Sequence, residues 1–427
     1  MSSPSHKTSK ALKAIESTNN LDALRDSVQH KTPATEAFDR LPHDREFSQK
    51  SANRKAGFLQ KETGAILTYL SAKKKITNIE QLEGNIENFI GFTQIPTGVI
   101  GPLKVIGSAA KGAFYVPLAT TEGALVASYQ RGTKACYLAG GATSICLIEG
   151  VQRSPLFKFK DMGDLGVFIQ WALKKIPTFK KITEANSRYA KLIDVRMNVE
   201  GNHLIPSFEF HTGDAAGQNM VTFCTDAICQ YIVEKSPIKP VQWFIESNFS
   251  GDKKATANAF SNVRGKKVTT EIVLSGEIVK NVLKTTPELI TDYWRSSTLG
   301  TIQAGSIGAQ GHYANGLTAL FLATGQDVAC VAEAATGITR MELTDEGSLY
   351  ASVTLPNLIV GAVGGGTSLP TQRECLEMMN CYGTGNSRKF AEICGAVVLA
   401  GELSIAAALS AGHFAAAHKR LGRKRNR

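Results

Sequence analysis

Several charged side chains stand in sequence apolar or glycine-rich enough to make a bystander charge costly. Glu122 lies in Thr120-Thr-Glu-Gly-Ala-Leu-Val-Ala-Ser, Lys253 and Lys254 follow Asp252 in Ser247-Asn-Phe-Ser-Gly-Asp-Lys-Lys-Ala, and Asp327 interrupts Ala319-Leu-Phe-Leu-Ala-Thr-Gly-Gln-Asp-Val-Ala-Cys. Each has a plain structural reading beside the chemical one. Glu122 can be a first-turn carboxylate complementing a helix dipole, and Gly-Asp-Lys-Lys can be a solvated turn. Asp327 resists such a reading: buried, it needs a partner or a raised pKa, which makes it a site candidate. His312 and Asn315, three apart in Ser306-Ile-Gly-Ala-Gln-Gly-His-Tyr-Ala-Asn, can share a helical face, either as a satisfied polar pair or as ligand contacts. His413 and His418 diverge by roughly 140° on a regular helix, so both cannot enter one site.

Alternating elements must position these groups. Apolar residues at helical spacing from Arg54 to Ser71 predict a small helical piece. Gly91 to Leu103 reads as an ordered loop or edge strand, and Ala113 to Ala119 as a strand. Thr120 then caps a helix running toward Leu138. Ser154 to Trp243 has its own texture: helix from Leu165 to Lys175, strands Leu192–Val199 and Leu204–Phe210 around a Glu200-Gly-Asn turn, and helix from Ala215 to Glu234. That α+β unit reads as a small domain inserted in a larger one. Beyond it come a strand at Val268–Leu274 and long Ala/Leu/Gly-rich helices at Thr301–Thr324 and Phe390–Ala417. The expected divisions are a polar 1–50 segment without fixed structure, a helical region 51–90, a large domain 91–153 plus 245–418, an insert 154–244 and a basic tail 419–427.

No Gly-x-Gly-x-x-Gly follows a strand, so a Rossmann site is unsupported. Phe208-Glu-Phe-His-Thr-Gly-Asp-Ala-Ala-Gly-Gln-Asn-Met does lead from strand to helix, where small residues and free N–H groups would admit a pyrophosphate. Gly364-Gly-Gly-Thr reads as a turn or a close helix contact.

Composition narrows the classes. The 427 residues are 43% hydrophobic and 20% charged, with a formal charge of +11. Six basic side chains in the last nine residues supply more than half of it, leaving +5 elsewhere (11 − 6). With no zinc-finger spacing and no aromatic-interleaved basic stripe, no nucleic-acid partner is expected. Eight scattered cysteines without a Cys-x-x-Cys pair, and no apolar signal core, predict reduced thiols, no metal and a cytoplasmic setting. No membrane span is expected either: Glu392, Glu402 and His413 break the best apolar run, which reads as a buried helix.

The chain resembles the catalytic region of 3-hydroxy-3-methylglutaryl-CoA reductase, in a soluble form of the eukaryote/archaeal type. The matching segments run in family order from about residue 54 to 418: Glu87-Asn-Phe-Ile-Gly, Ile95-Pro-Thr-Gly-Val-Ile-Gly-Pro-Leu, Ala119-Thr-Thr-Glu-Gly-Ala-Leu-Val-Ala-Ser, Gly213-Asp-Ala-Ala-Gly-Gln-Asn-Met, Asp252-Lys-Lys, Gly325-Gln-Asp, Val363-Gly-Gly-Gly-Thr and Ala400-Gly-Glu-Leu-Ser. The resemblance implies an α/β (α+β) fold. Its large substrate-binding domain surrounds a long central helix (Thr120–Leu138 or Phe390–Ala417), with an inserted ferredoxin-like cofactor domain and a small N-terminal helical region.

The implied reaction is NADPH-dependent four-electron reduction of hydroxymethylglutaryl-CoA to mevalonate and CoA, through a mevaldyl-CoA hemithioacetal, for isoprenoid synthesis. Lys253 would stabilise charge on the carbonyl oxygen, Glu122 donate a proton, His418 protonate the leaving thiolate, and Asp327 tune Lys253 and Glu122. Arg153, Lys254 and Asn315 would hold the hydroxymethylglutaryl group, and Arg131 with Lys134 the CoA phosphates. Ser187 and Arg188 would meet the 2′-phosphate, with Asp214, Gly217, Asn219 and Met220 on the dinucleotide. The site would form between subunits of a homodimer or homotetramer. The match is not uniform: Ala416 and Lys419 flank His418 unusually, Ala255 and Asn258 depart from the loop pattern, Arg295 stands near an expected lysine, and His211 replaces an arginine. Two other readings use the same residues: NAD-dependent oxidation of mevalonate, and a CoA-binding regulatory protein without turnover.

Overall fold

The computed structural model describes residues 47–415 and a few scattered positions before them. Most of the 1–50 segment, His418 and the 419–427 tail lie outside the described residues.

The strands are β1 (Thr97–Gly107), β2 (Lys111–Ala119), β3 (Ala142–Arg153), β4 (Leu156–Lys158), β5 (Lys191–Glu200), β6 (His203–His211), β7 (Gln242–Phe244), β8 (Gly265–Leu274), β9 (Ile338–Leu343) and β10 (Leu349–Leu358). The main helices are α1 (Gln49–Thr63), α2 (Leu125–Leu138), α3 (Met162–Asn186), α4 (Gln218–Lys235), α5 (Pro287–Gln303), α6 (Tyr313–Thr324), α7 (Pro370–Met378) and α8 (Ser387–Ser410). One sheet runs β2-β1-β3-β8-β10-β9, antiparallel except for the short parallel contact of β1 with β3. The other runs β7-β4-β6-β5, wholly antiparallel, with α3 and α4 between its strands in the chain. Chain order βαββαβ with that spatial order is the ferredoxin-like arrangement. The long β3 joins the two sheets: Thr143–Gly150 pair with β8, whereas Val151–Arg153 pair with β6.

Helix α8 is apolar on every side, and such a helix must be enclosed. Phe390 to Leu403 are all buried, wrapped by α2, α5, α6 and the large sheet. It alone among the described residues is long and apolar enough to cross a membrane, and most of it is buried inside the protein. Gly132 of α2 lets the packing close: a Cβ there would fall 1.8 Å from the Ala400 carbonyl oxygen. A second apolar core fills the ferredoxin-like unit, built on Phe157, Phe159, Phe168, Phe179, Phe208 and Phe210.

Both carboxylates inside α8 are clasps. Glu392 accepts the N–H groups of Ala109, Ala110 and Cys146. Glu402 accepts those of Gly311 and His312 at 2.8 Å each, together with the His312 Nδ1 contact and the Thr339 hydroxyl at 2.7 Å. It thereby pins the start of α6 to the core. Glu402→Leu would leave the Gly311 and His312 N–H groups and the buried Thr339 hydroxyl without their acceptor and is expected to cost about 2–4 kcal/mol, read from urea denaturation.

Three expected elements are redrawn. Helix α2 begins at Leu125, after Ala124 in the left-handed region (φ 72), so Thr120 does not cap it and Glu122 is not in its first turn. The Thr301–Thr324 helix is two helices, because the chain turns back through Gly305 (φ 70) and Gly308 (φ 88). Helix α8 ends at Ser410, before Gly412 (φ 68), so His413 is not on it and the helical-angle argument about the two histidines does not apply.

Candidate active site

Lys253 sits on a tight turn between β7 and β8. Gly251 (φ 76) and Lys253 itself (φ 56) are both left-handed there. Its Nζ lies 3.0 Å from Asp327 Oδ2, and the two side chains are 44% and 41% exposed. The hydrogen bond to Asp327 holds the Lys253 ammonium above the ordinary lysine pKa. Asp327 follows α6, where its other oxygen caps the short turn Val328–Cys330 through the Ala329 N–H (3.0 Å). The expectation of a buried Asp327 is therefore corrected. It has the required partner, but at the surface.

Behind this pair lies a buried ionic frame. Glu333 Oε1 accepts the Lys253 backbone N–H (3.1 Å) and Arg264 Nη1, and Arg264 Nη2 donates to Asp252 Oδ1 (2.8 Å). Arg153 Nη1 reaches Glu246 at 2.7 Å and Asp252 at 3.3 Å, so its guanidinium is fixed from one edge and its buried Nε has no protein acceptor. Lys254 is exposed, and its Nζ bonds the Asp252 carbonyl at 2.9 Å.

Glu122 belongs to a different neighbourhood. It is exposed in the loop before α2, and its Oε2 accepts from Asn315 Nδ2 at 2.8 Å. His312 turns the other way, to Glu402, stacked on Tyr129. For that pair, the structural reading fits His312 and the site reading fits Asn315. Asn315 stands in the first turn of α6 and Asp327 beyond its far end. From Asn315 to Thr324 the helix rises roughly 13 Å. Glu122–Asn315 and Lys253–Asp327 are thus two polar pairs toward opposite ends of one helix.

Arg131 is turned onto α8, donating to Ser404 Oγ (3.0 Å) and the Ser404 carbonyl (2.6 Å), and burial lowers its pKa. Lys134, one turn on, is half-buried.

In the ferredoxin-like unit, Ser187 ends α3 and its Oγ accepts the Ala190 N–H, which leaves Arg188 exposed beside it. Gly217 (φ 82) starts α4 with no side chain capping the first turn, and a Cβ there would strike Thr212 at 2.4 Å. Gly213 faces open space, Asn219 is exposed, and Met220 packs on the unit's core. An uncapped helix start behind small residues fits a pyrophosphate.

Asp214 is spent elsewhere: its oxygens accept the N–H groups of Gly385 (2.8 Å) and Ser387 (3.0 Å) at the start of α8. Burial alone would raise its carboxyl, but these N–H groups outweigh it and hold the pKa below the ordinary range. A depressed folded-state pKa gives stability that is present above the unfolded value and lost as pH falls through the folded one. The stability gap between wild type and Asp214→Asn should therefore narrow in urea titrations taken from neutrality to about pH 3. A gap independent of pH would remove charge as its cause.

Arg264, Glu333 and Gln326 were not foreseen. Gln326 brackets Gly361, donating to its carbonyl (3.1 Å) and accepting its N–H (2.8 Å); the adjacent Ala362 N–H donates to the Asp214 carbonyl (2.8 Å). The turn carrying Asp327 is thereby tied to the loop that starts α4.

The family model for hydroxymethylglutaryl-coenzyme A reductase matches residues 51–423. The chain is 42% identical over 386 residues to a 3-hydroxy-3-methylglutaryl-coenzyme A reductase of Methanocaldococcus jannaschii, covering 89% of this chain and 95% of that one. With the protein of the same name from Pyrococcus abyssi it shares 44% over 386 residues, 88% and 92% of the two chains. Among solved structures it resembles the class II 3-hydroxy-3-methylglutaryl-CoA reductase of Streptococcus pneumoniae bound to NADPH, with TM-score 0.68 and 18% identity over 86% of this chain and 97% of that one. That likeness bears on the fold.

Proposed function

The chain belongs to the hydroxymethylglutaryl-coenzyme A reductase family, and from that premise we propose that it reduces the thioester of 3-hydroxy-3-methylglutaryl-CoA to mevalonate and free CoA in the mevalonate pathway. The observation that carries this reading is the exposed Lys253–Asp327 pair on a braced turn. It is a cation held in place by its partner and by a braced backbone where a ligand can reach it.

Two equivalents of reduced nicotinamide, for which we favour NADPH, supply the hydrides. The 154–244 unit would hold the cofactor through Gly217, Asn219 and Met220 at the start of α4, with Ser187 and Arg188 toward the 2′-phosphate. The remaining site residues lie on the large domain. As negative charge grows on the carbonyl oxygen, Lys253 stabilises it and Asp327 keeps the ammonium charged and aimed. Glu122 supplies the proton that this oxygen takes, oriented by Asn315. Collapse of the hemithioacetal releases a thiolate, which an imidazolium at His418 would protonate. Arg153 and Lys254 offer N–H donors to the substrate carboxylate. Asn315 faces its hydroxyl. Lys134 faces the CoA phosphates, and Arg131 would reach them only by giving up its Ser404 bonds.

Glu122 and Lys253 are paired toward opposite ends of α6, so the working site would take one half from each of two copies. Ile86, Ile90 and Phe92, exposed in and around Glu87-Asn-Phe-Ile-Gly, offer apolar surface to a second copy. All eight cysteines are buried free thiols, which suits the reducing cytoplasm.

The test is direct. Purified protein given hydroxymethylglutaryl-CoA should oxidise NADPH in preference to NADH, with mevalonate and CoA as products, and Arg188→Ala should narrow the preference. Turnover only of mevalonate with NAD⁺ would assign the oxidative direction. Turnover with neither would leave a binding protein.

A further inference from the structure

We infer that Arg264 and Glu333 are positioning residues that hold the 251–254 turn in the backbone conformation from which Lys253 meets Asp327. The inference rests on the role proposed for Lys253 and extends it to two side chains beneath the site.

The Asp252–Lys253 step is gripped on both sides from below. Glu333 takes the Lys253 N–H at 3.1 Å, and Arg264 takes the Asp252 carboxylate at 2.8 Å while bonding Glu333 with its other nitrogen. Both Arg264 and Glu333 are fully buried. Lys253 at φ 56 occupies a region that residues with a Cβ seldom enter. Such conformations persist where their surroundings over-determine them.

Stability does not explain the pair. A buried ion pair is commonly no more stabilising than a well-packed apolar pair of similar volume. This one also leaves Arg264 Nε and Glu333 Oε2 without a hydrogen-bond partner among the described residues, an added cost. What an apolar pair could not do is accept the Lys253 N–H and tether Asp252. A turn freed of those contacts keeps the Arg153–Asp252 contact and its own local hydrogen bonds, but loses the one acceptor for the Lys253 N–H itself, and the ammonium would wander from Asp327.

The experiment compares the wild type, the double variant Arg264→Met/Glu333→Leu, and Glu333→Gln, which keeps an acceptor for the Lys253 N–H. Two readouts are taken: hydrogen exchange of the 250–256 backbone, which needs no turnover, and kcat with KM for each substrate. In the double variant exchange in this segment should rise at least about tenfold while the rest of the chain keeps its protection. Its kcat should fall about 100-fold with KM for the nicotinamide unchanged, as expected when a reacting group is misplaced by an ångström. Glu333→Gln should recover much of both. Unchanged exchange in a folded double variant would overturn the inference, and so would raised exchange with undiminished kcat. If the double variant does not fold, Arg264→Lys alone, which lacks the fork that bonds Glu333 and Asp252 together, is read by the same two criteria. A wild type that reduces no thioester would sink the proposed function alone, because exchange still decides whether the pair orders the turn.

Discussion

Lys253→Met is expected to lower kcat by about 10²–10³-fold while leaving the protein folded, the loss typical when one preorganised charge is withdrawn from a developing oxyanion. Folding should survive because the Lys253 side chain is 44% exposed and its ion-pair partner, Asp327, is also at the surface. An exposed ion pair contributes little stability. The backbone conformation is no worse for methionine than for lysine, since both carry a Cβ at φ 56. Steady-state kinetics on material matched by circular dichroism decides the matter. If Lys253 merely binds the substrate, KM rises and kcat stays; if it acts on the oxygen, kcat falls with kcat/KM. Asp327→Asn should be milder. It retains an acceptor for the ammonium but removes the charge that raises the Lys253 pKa, so the alkaline limb of the pH–rate profile should move to lower pH.

The fold was legible where one element's environment is uniform. The run from Phe390 shows no polar face beyond Glu392 and Glu402, so it could only be enclosed, and α8 is. The strand–turn–strand at Leu192 to Phe210 alternates and carries its own Gly201 turn, and it pairs as β5 and β6. What failed was the end of elements. Thr301–Thr324 is apolar enough to continue as helix, and only tertiary contacts reveal the break. At Gly308, for instance, a Cβ would fall 2.2 Å from the Gly337 carbonyl oxygen.

For the site, residue types were legible and partnerships were not. Lys253, Asp327, Glu122 and Asn315 all drew attention as polar groups in unusual company. Yet the Glu122–Asn315 bond spans 193 positions, and nothing local separates His312, which serves the core, from Asn315, which does not. Arg264 was invisible for a different reason: followed by Gly-Lys-Lys it imitates a solvated basic turn, although it is wholly buried. Glu333 hides similarly in an alanine-rich stretch. Support residues of this kind are recognised by burial, which a single sequence does not display.

The placement of the Glu122–Asn315 and Lys253–Asp327 pairs toward opposite ends of α6 yields the second large effect, if the proposed site is shared between subunits. Glu122→Gln and Lys253→Met should each be inactive alone, yet mixing them under conditions that exchange subunits should restore turnover. Each site of a two-fold dimer would take Glu122–Asn315 from one copy and Lys253–Asp327 from the other. In a mixed dimer the two lesions then fall together in one site and leave the other intact. Equal mixing makes half the dimers mixed, each with one working site of two, so about a quarter of wild-type activity should return, by the symmetry of a closed two-fold pair. If one chain instead brought Glu122 and Lys253 together, every site in every dimer would carry one lesion and mixing would restore nothing. The roughly 13 Å of α6 from Asn315 to its C-terminal end favours the first outcome. The amount recovered, measured against the fraction of mixed dimers, therefore tests the geometry independently of which residue donates the proton.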